Sequence, residues 1–171
     1  MKNITKHFGK INKTQKHKNM KTYKGTINGY RIVKDGNEPV QKAKITCSDD
    51  IANYLRKIFP EDEIDVREQF YAVFLNNNNT TVGYYKVSEG GITGTVVDMR
   101  LLFKAALDCL ATSIILGHNH PSGTLSPSQQ DKTITEKIVS GAKMLDMRIL
   151  DHIILTKESF YSMSDNGDSC I

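Results

Sequence analysis

The stretch that most constrains this chain joins a short apolar run to a tight turn and then to the start of a helix. The apolar run, residues 114–116, is typical of a buried strand. If the strand extends through His120, then His118 and His120 point to the same face, because side chains alternate along a strand. Pro121 favours extended backbone at His120, and Gly123 permits the turn that follows. The sequence therefore predicts two imidazoles side by side at the end of a core strand.

A helix is predicted to begin directly after this turn. Ser126 is expected to be its N-cap and Pro127 its first residue. Ser128 and Asp131 then lie three positions apart on one helical face. The apolar positions that continue close to this face, and so turn it toward the strand, are Ile134, Ile138, Ala142 and Leu145. The strand end and the helix start are thus predicted to bring two histidines, an aspartate and a serine to one place.

The residue types gathered there are those of a catalytic zinc site. His118, His120 and Asp131 offer three nitrogen and oxygen ligands and leave a fourth position for water. Two imidazoles and a carboxylate suit Zn²⁺ best, although iron, cobalt or nickel can occupy such a site in vitro. Two histidines alone near a strand end are more often ordinary polar residues. The added Ser128 and the flanking Pro-Ser-Gly favour the metal site, and we predict Zn²⁺ as the cofactor.

The order of these residues resembles a known motif. His-x-His, seven residues, Ser, two residues and Asp is similar to the JAMM motif of the JAB/MPN metallohydrolases. The segment 118–123, His-Asn-His-Pro-Ser-Gly, resembles the RadC-like branch of that family, and the resemblance extends from about Glu68 to about Ser164. It implies a cytidine-deaminase-like α/β/α fold. It also implies a hydrolase that uses metal-activated water on an amide or isopeptide bond of a peptide-type substrate.

The resemblance also implies a glutamate that acts as the general base from the start of a core strand. Glu68 occupies that place, directly before the apolar run 69–75. A base is needed because the proton of the attacking water must be taken up and later given to the leaving group. Other acids compete for the role. Glu89 lies beside glycines and is a second candidate, and Asp65 is a third. Glu61 and Glu63 lie in a charged linker and are expected to be solvated.

Three further polar residues near the motif are open to more than one interpretation. Ser128 is predicted to donate a hydrogen bond to the oxyanion that forms during attack on a carbonyl, and capping of the helix is its alternative role. His152, in the segment Asp151-His152-Ile153-Ile154, is expected to support the ligands rather than to bind the metal. Asn119 lies between the two ligands, points the other way and is interpreted as structural.

The rest of the chain alternates between helical and strand patterns. One helix is predicted from Ser48 to the residue before Pro60, and another over Met99 to Leu110 with Asp98 as its cap. Leu110 is placed on the apolar face of the second helix. Strands are predicted at residues 70–75, 81–87, 148–155 and 160–163, and the first two of these form a hairpin. In the strand at 148–155, Ile149 is expected on the same side as Ile153 and Leu155. This mixture predicts an α/β fold with a three-layer α/β/α arrangement around a mixed sheet.

Three segments are distinguished by composition. Residues 1–24 contain eight lysines and no acid, although the whole chain has a net charge of only +4. We predict a disordered basic arm there that binds nucleic acid weakly and in a salt-dependent way; a solvated tail without a partner is the alternative. Residues 25–60 are predicted to form a hairpin, with strands near 23–33 and 40–46, and a helix. Residues 61–171 are predicted to form the RadC-like domain.

The composition also indicates the cell compartment. The three cysteines are far apart and form no Cys-x-x-Cys pair, which is typical of a reducing cytoplasm. Cys170 is expected to be exposed. No apolar run is long enough for a membrane span, and the basic N-terminus lacks the apolar segment of a signal peptide.

Two functional hypotheses from different classes follow. The first is a zinc metallohydrolase of the RadC-like JAB/MPN group; that branch carries a traditional DNA-repair label. The second is a nucleic-acid-associated binding module in which the site is structural or vestigial. Nuclease action at the same zinc is a third hypothesis. The lysine-rich arm favours the second, whereas a complete set of polar residues favours the first, namely Glu68, His118, His120, Ser128 and Asp131. The sequence does not predict an oligomeric state.

Overall fold

A computed structural model describes residues 42–90 and 96–171 of the chain. The predicted basic arm and the predicted strand near 23–33 lie outside these residues. Of the predicted strand at 40–46, the described part forms a single antiparallel bridge between Lys44 and Thr80. The elements of the described part, in chain order, are α1 (Ser48–Ile58), β1 (Gln69–Leu75), β2 (Thr81–Glu89), α2 (Met99–Asp108), β3 (Ser113–Asn119), α3 (Gln129–Met144), β4 (Arg148–Leu155) and β5 (Phe160–Ser162). None of these helices combines the length and the apolar character needed to cross a membrane.

The strands form one mixed sheet in the order β2-β1-β3-β4-β5. β1 is antiparallel to β2 and β3, β3 is parallel to β4, and β4 is antiparallel to β5. β1 and β3 lie inside the sheet, and every residue of both strands is buried. Their continuous apolar sequences follow from this position, since both faces of the sheet are covered. The parallel connection from β3 to β4 contains α3, because parallel neighbours need a long crossover.

Two apolar clusters cover the two faces of the sheet. Alternate residues of β1 enter different clusters, with Tyr71 and Val73 in one and Phe70 and Ala72 in the other. α1 packs in the first cluster through Ile51, Leu55 and Ile58. α2 and α3 pack in the second through Leu102, Ala106, Ile138 and Ala142. The predicted three-layer α/β/α arrangement around a mixed sheet is therefore confirmed.

A glycine in β3 allows α1 to lie close to the sheet. A Cβ atom at Gly117 would lie 2.7 Å from Cδ1 of Leu55. Any larger residue there would have to displace Leu55, whose side chain is fully buried. Gly117 precedes the first predicted metal ligand and faces the opposite side of the sheet. The helix α1 and the histidines are thus placed on different faces of the same strand.

The predicted side of Ile149 is wrong. The register between β3 and β4 shifts at Leu150, which is the extra residue of β4. Because one inserted residue reverses the alternation of side chains, the residues before and after it exchange faces. Ile149 therefore packs in the cluster with α2 and α3, whereas Ile153 and Leu155 pack in the cluster with α1.

The predicted environments of Leu110 and Cys170 are also wrong. Leu110 was expected on the apolar face of α2, and Cys170 was expected to be exposed. Leu110 is 66% exposed, because α2 ends at Asp108 and Leu110 adopts a left-handed backbone with φ of 52°. Cys170 is buried rather than exposed, since the turn after β5 returns the chain to the sheet. Its Sγ atom lies 3.7 Å from Sδ of Met163. Burial raises the pKa of the Cys170 thiol.

Candidate metal centre

The predicted ligands converge at the end of β3. The Nε2 atoms of His118 and His120 lie 2.8 Å apart. Oδ1 of Asp131 is 3.2 Å from Nε2 of His118, and Oδ2 is 3.5 Å from Nε2 of His120. His118 is fully buried, Asp131 is buried, and His120 is partly exposed at the mouth of the site. β3 and the first turn of α3 therefore bring together the three side chains that the sequence singled out.

Asp131 is presented by a helix that begins later than predicted. The N-cap of α3 is Ser128 and not Ser126, so Pro127 lies outside the helix. Oγ of Ser128 accepts a hydrogen bond from the Asp131 backbone N–H at 3.1 Å, and Oδ2 of Asp131 accepts one from the Ser128 backbone N–H at 2.7 Å. This reciprocal capping box satisfies two donors of the helix start, which favours Ser128 as the cap. The same hydrogen bonds orient the carboxylate toward the two imidazoles.

Both histidines use Nδ1 for contacts within the protein. Nδ1 of His120 lies 2.6 Å from the carbonyl oxygen of Thr124. Because a carbonyl only accepts, Nδ1 carries the proton, and Nε2 of the neutral ring keeps its lone pair. Nδ1 of His118 lies 2.8 Å from Nε2 of His152. The Nε2 atoms of both ligands are therefore left to face each other and the carboxylate.

This donor set fits a metal ion. Two lone pairs that face each other across 2.8 Å repel unless a proton lies between them or a metal ion is bound by both. The adjoining carboxylate adds negative charge to the same point. The ligand atoms of His118, His120 and Asp131 all lie within 4.8 Å of one another. The spacing and the nitrogen and oxygen donors are compatible with one ion held by three protein groups.

The electrostatics of the metal-free site favour an anionic carboxylate. Burial raises the pKa of Asp131, but the contacts of its carboxylate with the imidazoles of His118 and His120 outweigh it and hold this pKa far below its usual range. The hydrogen bond with Asp131 raises the pKa of His120, against the opposing effect of burial. Asp131 is therefore ionised at neutral pH, which is the form that a metal ion binds.

Glu68 lies directly before β1 and is half-buried near the ligands. Burial raises the pKa of its carboxyl, and the negative charge of Asp131 raises it further. The charges of His118 and His120 lower this pKa and only partly offset the rise. Glu68 thus has a pKa above its ordinary value, which suits a group that takes up a proton and gives it away at neutral pH.

The competing acids make contacts of other kinds. Glu89 pairs with Lys86 at 2.7 Å and with Arg67 at 2.5 Å, and these hydrogen bonds lower its pKa. Glu63 accepts a hydrogen bond from a glutamine side chain at 2.5 Å. The remaining acids are exposed, namely Glu61 and Asp65. Ion pairing makes Glu89 a weaker base, whereas Glu68 responds to the charges of the candidate ligands.

Asn119 occupies the opposite face of β3, as the sequence indicated. Its side-chain amide is buried and donates hydrogen bonds to the carbonyl oxygens of Ile64 at 2.7 Å and of Arg67 at 2.8 Å. These contacts hold the segment that leads into β1. Since Glu68 follows this segment, Asn119 has a structural role that extends to the position of the candidate base.

His152 lies behind His118 and contacts it, and is not part of the convergent ligand set. It is fully buried on β4, and burial holds its pKa well below the usual value, so its ring is neutral. Its Nδ1 atom lies 2.6 Å from Oγ1 of Thr135. Thr135 was not identified from the sequence. The sequence does contain a signal for it, because Thr135 lies four residues after Asp131 and therefore on the same face of the helix, one turn further along.

A comparison with protein families identifies the domain. The family described as the RadC-like JAB domain matches residues 45–168. The chain belongs to the RadC-like JAB domain family. The resemblance that the sequence motif indicated is thereby confirmed. The matched region of this RadC-like domain begins before α1 and includes all three candidate ligands and Glu68.

Three similar proteins carry the name UPF0758. A UPF0758 protein of Flavobacterium johnsoniae is 48% identical over 124 residues, which cover 72% of this chain and 53% of that protein. The UPF0758 protein YfjY of Escherichia coli (strain K12) is 40% identical over 101 residues, or 59% of this chain and 63% of YfjY. A UPF0758 protein of Methanosarcina mazei is 36% identical over 126 residues, which cover 74% of this chain and 54% of that protein. This chain thus spans between 53% and 63% of the length of these relatives. Their names specify neither a reaction nor a cofactor.

Proposed function

We propose that this RadC-like JAB domain is a zinc-dependent metallohydrolase that cleaves an amide or isopeptide bond. The observation that carries the proposal is the convergence of Nε2 of His118, Nε2 of His120 and the Asp131 carboxylate on one point. Three such ligands leave a position open for water and substrate at a zinc ion. Glu68, with its raised pKa, supplies the acid that this chemistry needs nearby.

The chemical roles divide between the ion and the chain. His118, His120 and Asp131 would hold the ion. When bound, zinc supplies Lewis acidity and lowers the pKa of water from about 16 to about 7. The Glu68 carboxylate takes up a proton and delivers it to the leaving nitrogen of the amide. Its half-buried position favours the protonated form that this delivery requires.

Ser128 serves two roles that are chemically compatible. Capping of α3 uses a lone pair of its Oγ atom, which accepts the hydrogen bond from the Asp131 backbone N–H. The hydroxyl proton remains available to donate, because a serine hydroxyl has one proton and two lone pairs. The side chain is exposed beside a ligand. We therefore retain Ser128 as the donor to the oxyanion that develops on the carbonyl substrate.

The test is an activity screen of zinc-loaded protein on peptide, isopeptide and DNA substrates. Cleavage of an amide-type substrate is expected from the wild-type chain, with loss of cleavage in the double variant His118→Ala/His120→Ala. Cleavage of DNA alone would replace the proposal with the nuclease hypothesis. Binding of DNA by both proteins, with no turnover of any substrate, would favour the binding module.

The lysine-rich segment 1–24 supports nucleic-acid binding as a second activity. Its eight lysines are not balanced by any acid within the segment. Such segments neutralise phosphates and release counterions, so their affinity falls steeply with salt. We expect DNA affinity, measured by fluorescence titration at increasing salt, to disappear when residues 1–24 are removed. Cooperative unfolding of the shortened chain is the control for its fold. Equal DNA affinity of both chains would contradict this second proposal.

A further inference from the structure

A row of hydrogen bonds runs behind the candidate metal centre and joins two of its ligands. Nδ1 of His118 lies 2.8 Å from Nε2 of His152. Nδ1 of His152 lies 2.6 Å from Oγ1 of Thr135. Oγ1 of Thr135 lies 2.6 Å from the backbone carbonyl oxygen of Asp131. The row therefore begins on the ring of one ligand and ends on the backbone of another.

The position of one proton sets the direction of the whole row. The Thr135 hydroxyl has a single proton, and the Asp131 carbonyl oxygen only accepts. Two oxygen atoms 2.6 Å apart repel unless a proton lies between them, so Thr135 donates to Asp131. Oγ1 must then accept from His152, whose Nδ1 atom carries the proton. The sulfur of Met163, 4.0 Å from Oγ1, is a weaker and more distant acceptor.

The direction of the row also fixes where His118 carries its proton. The ring of His152 is fully buried and its hydrogen-bond partners are His118 and Thr135, neither of them a carboxylate, so a charge on the ring would be costly and the ring is neutral. With its one proton on Nδ1, its Nε2 atom has a lone pair and accepts. The hydrogen bond to His118 therefore needs a proton on Nδ1 of His118. Nε2 of His118 is then left with its lone pair directed at His120 and Asp131.

We propose that His152 and Thr135 form a positioning pair that fixes His118 in the tautomer able to bind a metal ion. This inference rests on the proposed metal site and adds two residues that touch neither ion nor substrate. The pair also ties the orientation of the His118 ring to the first turn of α3, which carries Asp131. The relative positions of two ligands are thus set before an ion arrives.

The row of hydrogen bonds is buried, which keeps water from pairing with its members and reversing the direction in which they donate. His118, His152 and Thr135 have 0% exposure. The ring of Phe70 stacks on His118 with centroids 5.9 Å apart, and its edge packs against His152 at 5.3 Å. Exclusion of water means that each ring nitrogen depends on the protein partner facing it, since a lost partner would leave a buried polar group unpaired.

The tautomers are measurable without metal. The ¹⁵N chemical shifts of the ring nitrogens distinguish protonated from unprotonated atoms in metal-free protein at pH about 9, above the ordinary imidazole pKa. We expect protonated Nδ1 and unprotonated Nε2 for both His118 and His152. A proton on Nε2 of His118 in the wild-type chain would overturn the inference.

Two substitutions at Thr135 separate positioning from packing. Thr135→Val keeps the shape and removes the hydroxyl, so His152 loses its acceptor and is free to take the other tautomer. We expect zinc to bind about 10- to 100-fold more weakly, as measured by competition with a chelating dye. Thr135→Ser keeps the hydroxyl and removes a buried methyl group, so its unfolding temperature falls while its zinc affinity stays near that of the wild type.

A packing role predicts the reverse order, with valine tolerated better than serine. Equal zinc affinity of Thr135→Val and the wild type would contradict the inference. If Thr135→Val does not fold, the wild-type ¹⁵N shifts and the zinc affinity of Thr135→Ser still decide the question. A wild-type chain that binds no zinc would refute the proposed function. The tautomer of His118 would still decide the inference on its own.

Discussion

The side-chain oxygen of Asn119 accepts a hydrogen bond from the backbone N–H of Gln69, 2.8 Å away. Asn119 directly follows the candidate ligand His118, and Gln69 directly follows the candidate base Glu68. One buried amide thereby connects the strand that carries the candidate ligands to the residue next to the candidate base. The pairing of β1 with β3 places Phe70 opposite His118 and holds the same register.

Replacement of Asn119 by alanine tests this connection. Asn119→Ala removes three hydrogen bonds to backbone groups, and the partners left unpaired inside the protein are costly. We expect the free energy of unfolding, measured with urea, to fall by about 1–3 kcal/mol. Zinc content should persist while turnover decreases, because the base is displaced and the ligands are not. An unchanged unfolding curve would show that Asn119 does not hold this segment.

Glu68→Gln separates the base from the ligands. The amide keeps the size of the side chain but does not accept a proton at neutral pH, so turnover should fall by roughly 10²–10⁴-fold. Zinc content and the unfolding temperature should remain those of the wild type, since the proposed role of Glu68 is to exchange protons with water and not to bind the ion. The measurements are zinc analysis and turnover on the substrate identified by the screen.

Glu89→Gln is the matched control for this substitution. Glu89 pairs with Lys86 and Arg67, so its loss should leave turnover near the wild-type value. If Glu68→Gln stays active while Glu89→Gln is inactive, the base has been misassigned. If Glu68→Gln loses its zinc, then Glu68 is a ligand, and the assignment of three ligands is wrong.

The pKa of His120 predicts a pH dependence of the metal-free protein. Its hydrogen bond with Asp131 raises this pKa above the ordinary value of 6.5. The folded state therefore binds this proton more tightly than the unfolded state does. The resulting stability is fully present below about pH 6.5 and is lost as the pH rises through the folded-state pKa. Asp131 acts with the opposite sign, because its lowered pKa contributes stability that is lost on acidification.

We expect the free energy of unfolding of chelator-treated protein to decrease from pH about 6 to about 9, and to decrease less in His120→Gln. The difference between the two proteins isolates His120 from other groups that titrate in this range. Zinc-loaded wild-type protein should lose this part of the dependence, because the ion takes the place of the proton. Identical pH slopes for wild type and His120→Gln would contradict the assignment.

Local sequence patterns predict much of the fold. The apolar runs of β1 and β3 are visible because both strands are covered on both faces. Asp98 is the N-cap of α2 as predicted, with its side chain accepting from the backbone of Arg100. Proximity of His118, His120 and Asp131 follows from strand alternation and from the helix that comes soon after the turn.

Features that depend on distant contacts are not predicted. The bulge at Leu150 reflects pairing with β3, and no residue type at that position signals it. Two serines, Ser126 and Ser128, both fit the cap of α3, and the bonds with Asp131 decide between them. Burial of Cys170 depends on contact with β4 and the turn after β5. The role of Thr135 depends on His152, which lies on a different element.

The most direct test of the account is the zinc content of purified protein, measured by elemental analysis after dialysis against trace zinc. We predict about one zinc ion per chain in the wild type, because the donor atoms of His118, His120 and Asp131 lie within 4.8 Å of one another and would hold one ion with a position left for water. It predicts little zinc in the folded double variant His118→Ala/His120→Ala and in Asp131→Ala. Full zinc occupancy in the double variant, or none in the wild type, would contradict the central claim.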